Sequence, residues 1–381
     1  MPPRPARVAL VVERLVLQCR LRYFRRVAVC AACTVVATLL AYAYVTHMHN
    51  LQTTGELMEA AGVMASPRVN SRCRAVDGGY RCLPNVLLIG ASKCGTTSLA
   101  QHLGAHPSVG FVRRRIDLPG VHEVHRFDRP SYAYAIHAVD LADEWASAPV
   151  LPNRSQPVIH YTPQYLYAPT VPFEMRSFYP HPERLKFIVM VRDPVMRAQS
   201  SYWFKNSHLF DSRRKDRGSV LDFTSHIYES IRERKEYEAC RDRNRDLGEL
   251  HKLQVCFGSK LRSPELGWRH VDKGVYVDQL ERWFLNYPRE NFLVKTLEEF
   301  HEAPAEHFRD VCDFLGVGTV GPGAFNSSEQ VLQMLTKSFL KSPNRSKQPL
   351  PDKVLQDLRD FYRPYNERLE RLLGRRLGWS V

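Results

Sequence analysis

The run Val86-Leu87-Leu88-Ile89 passes without a break into Gly90-Ala91-Ser92-Lys93-Cys94-Gly95-Thr96-Thr97-Ser98-Leu99, and Leu99 with Leu103 opens a helical apolar stripe. No other stretch limits the fold as tightly. A buried strand that turns through a glycine-bounded loop into a helix aims backbone N–H groups and a helix N-terminus at one point, and that point asks for an anion. Loops of the GxxxxGK[ST] type place Lys after the second glycine, whereas Lys93 precedes Gly95 and two threonines follow it. An ordinary nucleoside triphosphatase is thereby the lesser reading. With no GK[ST] pair and no evident acid for magnesium, a transfer without a metal fits better.

A second strand-to-helix passage lies further along. Phe187-Ile188-Val189-Met190-Val191 ends in Arg192-Asp193-Pro194-Val195-Met196-Arg197-Ala198-Gln199-Ser200. Asp193 suits an N-cap and Pro194 the first helical position, which predicts a helix carrying Ser200. Arg192, at the C-terminal end of its strand, faces the crevice in which open α/β sheets bind ligands. An arginine and a hydroxyl converging there suit a second anion. The apolar runs Val158 to Tyr161 and Asn291 to Lys295 are set apart by amphipathic stretches. Such spacing predicts an α/β fold, a central parallel sheet flanked by helices on both faces. In the tail, Leu355, Leu358, Phe361, Tyr362, Leu369 and Leu372 recur at helical spacing around Pro364, which predicts two helices.

Val121-His122-Glu123-Val124-His125-Arg126-Phe127-Asp128 follows the basic stretch Arg113 to Arg115. If extended, it sets Glu123 and His125 on one face. Either side chain, beside a reacting hydroxyl, would take its proton as a new bond forms.

These motifs together resemble those of sulfotransferases that use 3′-phosphoadenosine 5′-phosphosulfate (PAPS). Gly90 to Leu99 is similar to the family's 5′-phosphosulfate loop, and its KCGTT form to that of the Golgi enzymes that 6-O-sulfate N-acetylgalactosamine 4-sulfate. The resemblance implies a P-loop-like sulfotransferase fold. It also implies that Lys93 grips the phosphosulfate and steadies charge on the departing phosphate, with Cys94, Gly95, Thr96 and Thr97 as cradle. The RDPxxRAxS pattern resembles the 3′-phosphate site, which assigns that binding to Arg192 and Ser200. The octet is similar to the KExHFFD segment of heparan sulfate 3-O- and N-sulfotransferases, making Glu123 the base with His125 in support; His122 and Arg126 stand where that motif has Lys and Phe. Cytosolic sulfotransferases use His, so His125 is the alternative base.

His160-Tyr161-Thr162-Pro163-Gln164-Tyr165 looks like the EKTPxY segment of the 3-O-sulfotransferases, with His160 and Tyr161 replacing Glu and Lys. Gly274 to Trp283 is similar to a GxYxxxLxRW helix whose aromatics are most simply core. The ends Phe361 to Asn366 and Gly374 to Trp379 resemble the close of the heparan enzymes. Asn344-Arg345-Ser346-Lys347-Gln348-Pro349 stands in for their SKGRxHP cofactor loop, which makes Arg345 and Lys347 further nucleotide contacts. The resemblance covers Leu83 to Val381.

Ahead of it, Val27 to Val45 holds nineteen residues without a charge, enough to cross about 30 Å of hydrocarbon, and Arg20, Arg22, Arg25 and Arg26 precede it. Positive flanks stay cytosolic. The expected organisation is a basic cytosolic tail (1–26), a transmembrane signal anchor (27–45), a lumenal stem (46–82) and a catalytic domain (83–381), with a cleaved signal or a buried core helix as alternatives. A lumenal address permits disulfides, and Cys73 with Cys82 and Cys240 with Cys256 close short loops. Sequons stand at Asn153, Asn326 and Asn344.

The chain's formal net charge is +14. Residues 211–262 are densely charged, either a solvated helical insertion or an acceptor-binding surface. Positive charge attracts nucleic acid, anionic lipid and acidic polysaccharide alike, whereas the basic insertion and lumenal address suit an acidic sugar chain better than a small phenol or steroid, and no nucleic-acid partner is expected. The expected function is sulfuryl transfer from PAPS to a glycosaminoglycan hydroxyl, chondroitin or heparan type, at the Golgi membrane. Tyrosine sulfation and a catalytically silent lectin are the alternatives.

Overall fold

A computed structural model describes residues 72–112, 121–128, 147–179, 181–205, 220–257, 269–336 and 350–379. The apolar span Val27 to Val45, most of the expected stem, Arg345 and Lys347 lie outside the described residues. Among the described residues no helix is long and apolar enough to cross a membrane.

Five parallel strands form the central sheet. They are β3 (Val86–Gly90), β4 (Gly110–Phe111), β6 (Val158–Tyr161), β7 (Lys186–Val191) and β8 (Phe292–Thr296), in the order β4-β6-β3-β7-β8. Every residue of β3 and β6 is buried, as the uninterrupted apolar runs require of strands covered on both faces. The four strands read from the sequence are all present, in parallel pairing. After β3 the chain builds the β6 side of the sheet, then returns to add β7 and β8 on the other side. Sheets of this kind open their ligand crevice at that reversal, here between the ends of β3 and β7.

A smaller antiparallel sheet, β1 (Cys73–Val76), β2 (Gly79–Cys82) and β5 (Val150–Leu151), precedes and flanks it. The Cys73–Cys82 disulfide ties the ends of its hairpin. Cys73 and Cys82 pack with Val112, Val124, Leu151 and Val158, so this hairpin, ahead of the expected boundary at Leu83, shares a small core with strands that follow it.

The helices are α1 (Thr96–Gly104), α2 (Val171–Phe178), α3 (Pro194–Lys205), α4 (Val220–Arg243), α5 (Glu249–Phe257), α6 (Tyr276–Phe284), α7 (Leu297–Glu302), α8 (Pro304–Leu315), α9 (Ser328–Leu335) and α10 (Asp352–Leu373). The tail corrects an expectation: α10 runs through Pro364 as one helix rather than two. Val354, Leu358, Tyr362 and Leu369 keep one buried stripe on both sides of the proline. Burying four such side chains outweighs the roughly 3 kcal/mol that an interior proline costs.

The charged insertion holds α4 and α5, linked by the Cys240–Cys256 disulfide. Helix α4 carries five Lys or Arg against six Asp or Glu, and Arg232 pairs with Glu236 on the surface at 2.9 Å. Helix α4 by itself therefore carries no positive excess. Nor is it wholly solvated. The Arg234 side chain is 6% exposed and reaches Asp272 at 3.1 Å, Glu238 at 2.9 Å and Asp278, which locks the insertion to the segment before α6.

Candidate active site

The loop after β3 is shaped by two left-handed residues, Lys93 (φ 72°) and Gly95 (φ 80°). A Cβ on Gly95 would sit 2.7 Å from Leu297 Cδ1, so glycine is needed for conformation and for space. Gly95 starts α1, which has no side-chain cap and no acidic residue in its first turn. The first-turn N–H groups are thus left to an anion, at the positive end of the helix.

Lys93 Nζ lies 3.7 Å from the centroid of the Phe204 ring on α3. Burial lowers its pKa to about 8; Glu123 opposes the shift, while Arg197 and Arg192 add to it. Cys94 has a different place from the other cradle residues. Its N–H donates to Ala91 O at 3.2 Å, and its buried thiol meets Tyr276 Oη at 3.5 Å. Burial pushes that thiol up to about 11, so Cys94 forms the back wall of the loop.

At the end of β7, Asp193 Oδ1 accepts from the N–H groups of Val195 (2.8 Å) and Met196 (3.3 Å), the expected N-cap of α3. Arg192 leans toward the first loop, its Nη1 donating to Lys93 O at 3.4 Å. Its Nε is buried and has no hydrogen-bond partner, an unmet donor that a bound oxyanion would satisfy. Ser200 follows on α3, partly exposed.

Arg197 was not singled out from the sequence. It is fully buried and donates to Ser92 O at 3.4 Å and to His270 O, bracing the loop after β3. Its signal was there: it shares the helix face of Pro194, Ala198 and Ser201, all buried, where a charge needs a specific partner.

The octet is not extended throughout. His125 adopts φ 55°, and the turn brings Glu123 and His125 into contact where a strand would only set them side by side. Thr162 Oγ1 accepts from the N–H groups of Val124 (3.2 Å) and His125 (3.0 Å). Tyr165 Oη accepts from those of Arg126 (2.8 Å) and Phe127 (3.2 Å) and meets His160 Nε2 at 2.9 Å. The His160-to-Tyr165 segment is therefore the mould of this turn.

Within the turn, His125 Nε2 lies 2.7 Å from Glu123 Oε2, and Nδ1 lies 2.8 Å from Asp128 Oδ2. Burial would lower the imidazole's pKa, but hydrogen bonds and charge from Asp128 and Glu123 outweigh it and raise it to about 9. A doubly donating imidazolium has no lone pair with which to accept a proton. Of the two side chains, only Glu123 then keeps lone pairs to offer. On its other side Tyr161 Oη donates to Glu123 Oε1 at 3.5 Å and lies 2.9 Å from Thr97 Oγ1 on α1.

The aromatic helix α6 and the C-terminus support the crevice. Tyr276 Oη donates to Arg192 O at 3.0 Å, and Trp283 Nε1 to Leu166 O at 3.2 Å. Trp379 Nε1 reaches Glu298 Oε2 at 3.4 Å, while Glu298 Oε1 accepts from the Asp193 N–H at 3.1 Å.

A sequence profile of the sulfotransferase domain matches residues 83–363. Mouse heparan sulfate glucosamine 3-O-sulfotransferase 3A1 is 26% identical over 332 residues, spanning 84% of this chain and 70% of that protein. Human carbohydrate sulfotransferase 15 is 26% identical over 331 residues, spanning 77% of this chain and 54% of its own length. Among solved structures, a sulfotransferase from Alicyclobacillus acidocaldarius superposes with a TM-score of 0.49 at 24% identity, covering 77% of this chain and 97% of that one.

Proposed function

The chain belongs to the sulfotransferase domain family, and from that premise we propose that it moves a sulfuryl group from PAPS to a hydroxyl of a glycosaminoglycan-type sugar chain. The observation that carries the reading is the pairing of two anion-ready sites behind the neighbouring strands β3 and β7. One is the uncapped start of α1 with Lys93, the other the buried, unpartnered Nε of Arg192, and the two meet through the Arg192–Lys93 contact. A nucleotide with phosphates at both ends of its ribose fits that pair.

The bound nucleotide supplies the sulfuryl group on a phosphate leaving group. Lys93 Nζ, steadied over Phe204, places positive charge where the leaving phosphate gathers negative charge. The first-turn N–H groups of α1, with Gly95, Thr96 and Thr97, hold the same phosphate, and Arg192 and Ser200 take the 3′-phosphate. Arg345 and Lys347 are proposed as further nucleotide contacts on the strength of the resemblance alone. Glu123 accepts the proton of the acceptor hydroxyl as its oxygen bonds to sulfur, and His125, pinned between Asp128 and Glu123, holds the carboxylate in place.

The acceptor class follows from relatives named for heparan sulfate and carbohydrate sulfation and from the chain's positive charge. A lumenal Golgi setting, with Val27 to Val45 as a type II anchor, accords with two disulfides and with exposed sequon residues Asn153 and Asn326. Incubation with radiolabelled PAPS and a panel of desulfated glycosaminoglycans, followed by disaccharide analysis, tests the reading. Label in one disaccharide supports it. Label entering peptide tyrosine instead refutes the acceptor class, and polysaccharide binding without label transfer would make the chain a lectin.

A further inference from the structure

Both oxygens of Glu123 are engaged, and unequally. Oε2 meets the His125 imidazolium at 2.7 Å, whereas among the described residues Oε1 receives the Tyr161 hydroxyl alone, at 3.5 Å, the outer limit of a hydrogen bond. Tyr161 is 2% exposed, and its hydroxyl also meets the first turn of α1, through the side chains of Thr96 and Thr97; Thr97 Oγ1 lies at 2.9 Å, where either oxygen can be the donor. A tyrosine has one proton to give. Burial, with Glu123's charge, raises the phenol's pKa far enough that this proton stays on. Thr97 belongs to the first turn of α1, the anion site of the preceding section.

We propose that Tyr161 is a positioning residue that couples the two halves of the reaction: filling the anion site at α1 draws the Tyr161 proton to Thr97 and releases Glu123 Oε1 to accept the proton of the incoming hydroxyl. The inference rests on the sulfotransferase reading. Before an anion arrives, Thr97 donates to Tyr161 and Tyr161 to Glu123. Once a phosphate oxygen accepts from the Thr97 hydroxyl, that hydroxyl has only lone pairs left to offer Tyr161. The tyrosine O–H then turns to the shorter, better contact, and the 3.5 Å one lapses. Two O–H rotations accomplish this, with no covalent bond made or broken. Glu123 thus stays tied when an acceptor arrives before the donor, and is free when the donor is seated.

The test is calorimetric titration of the full chain in detergent with 3′-phosphoadenosine 5′-phosphate (PAP), which carries no group to transfer. In the wild type, binding sacrifices the Tyr161–Glu123 hydrogen bond, and Glu123→Gln weakens what is sacrificed. Glu123→Gln should therefore tighten PAP binding, and the effect should be about threefold to tenfold larger in the wild-type background than alongside Tyr161→Phe. Thr97→Val cuts the other end of the chain and should erase the same difference, whereas Thr97→Ser should preserve it. A Tyr161 that merely fills space would shift Kd or Tm on its own and leave that ratio at one. An equal Glu123→Gln effect in both backgrounds, with PAP still bound, overturns the coupling and leaves the sulfotransferase reading standing. Failure of the wild type to bind PAP brings down both.

Discussion

Replacing His125 with Gln should weaken the fold by an amount that shrinks as pH rises. In the unfolded chain the imidazole has its ordinary pKa of 6.5, and in the fold it is raised to about 9 by Asp128 and Glu123 against the cost of burial. A raised folded-state value means that the stabilisation is complete below about pH 6.5 and is lost as pH climbs through 9. Proton linkage between those values gives about 3 kcal/mol at pH 6, about 2 kcal/mol at pH 7.5 and less than about 0.5 kcal/mol at pH 9. The side chain is 28% exposed, so solvent screening takes only a small part of this. Gln does not titrate, and its own hydrogen bonds add an offset independent of pH. The titration of Lys93 is common to both proteins and cancels in the difference. Equilibrium urea unfolding of wild type and variant at the three pH values, at fixed ionic strength, reads the gap. A gap that stays constant across the series would refute the two-carboxylate clamp, and with it the argument that leaves Glu123 as the proton acceptor.

Lys93→Ala should abolish turnover while leaving the fold intact by circular dichroism. Because burial holds Lys93 near pKa 8, wild-type kcat/KM should fall above that pH as the cation is lost, and Lys93→Arg should move this limb to higher pH. Arg234→Ala leaves Asp272, itself buried, without its nearest cation. It should cost about 3–5 kcal/mol in chemical denaturation, and more than any exposed arginine of α4.

What the sequence made legible divides along physical lines. The central strands and the loops after Val86–Gly90 and Lys186–Val191 could be read because a buried parallel strand needs an unbroken apolar run, and because glycine, Asp-Pro and a following apolar stripe mark strand-to-helix turns locally. Both disulfides close short loops and were legible as pairs. The clamp on His125 was not, since Asp128 enters only when His125 turns left-handed, and that turn is set by the Thr162 and Tyr165 hydroxyls far along the chain. Pro364 was overweighted for the same reason: local propensity argued for a break, and tertiary burial of one stripe overruled it. The partners of Arg197 and Arg234, a loop carbonyl and a cluster of carboxylates, come from distant segments and could not be read locally.

The proposed function requires two anion sites that hold opposite ends of one nucleotide. The most direct measurement compares binding of PAP and of an analogue lacking the 3′-phosphate to wild type, Lys93→Ala and Arg192→Ala. Lys93→Ala should weaken both ligands, while Arg192→Ala should weaken PAP and leave the analogue unchanged. Equal losses for the two ligands on Arg192→Ala, or no loss on either substitution, would contradict it.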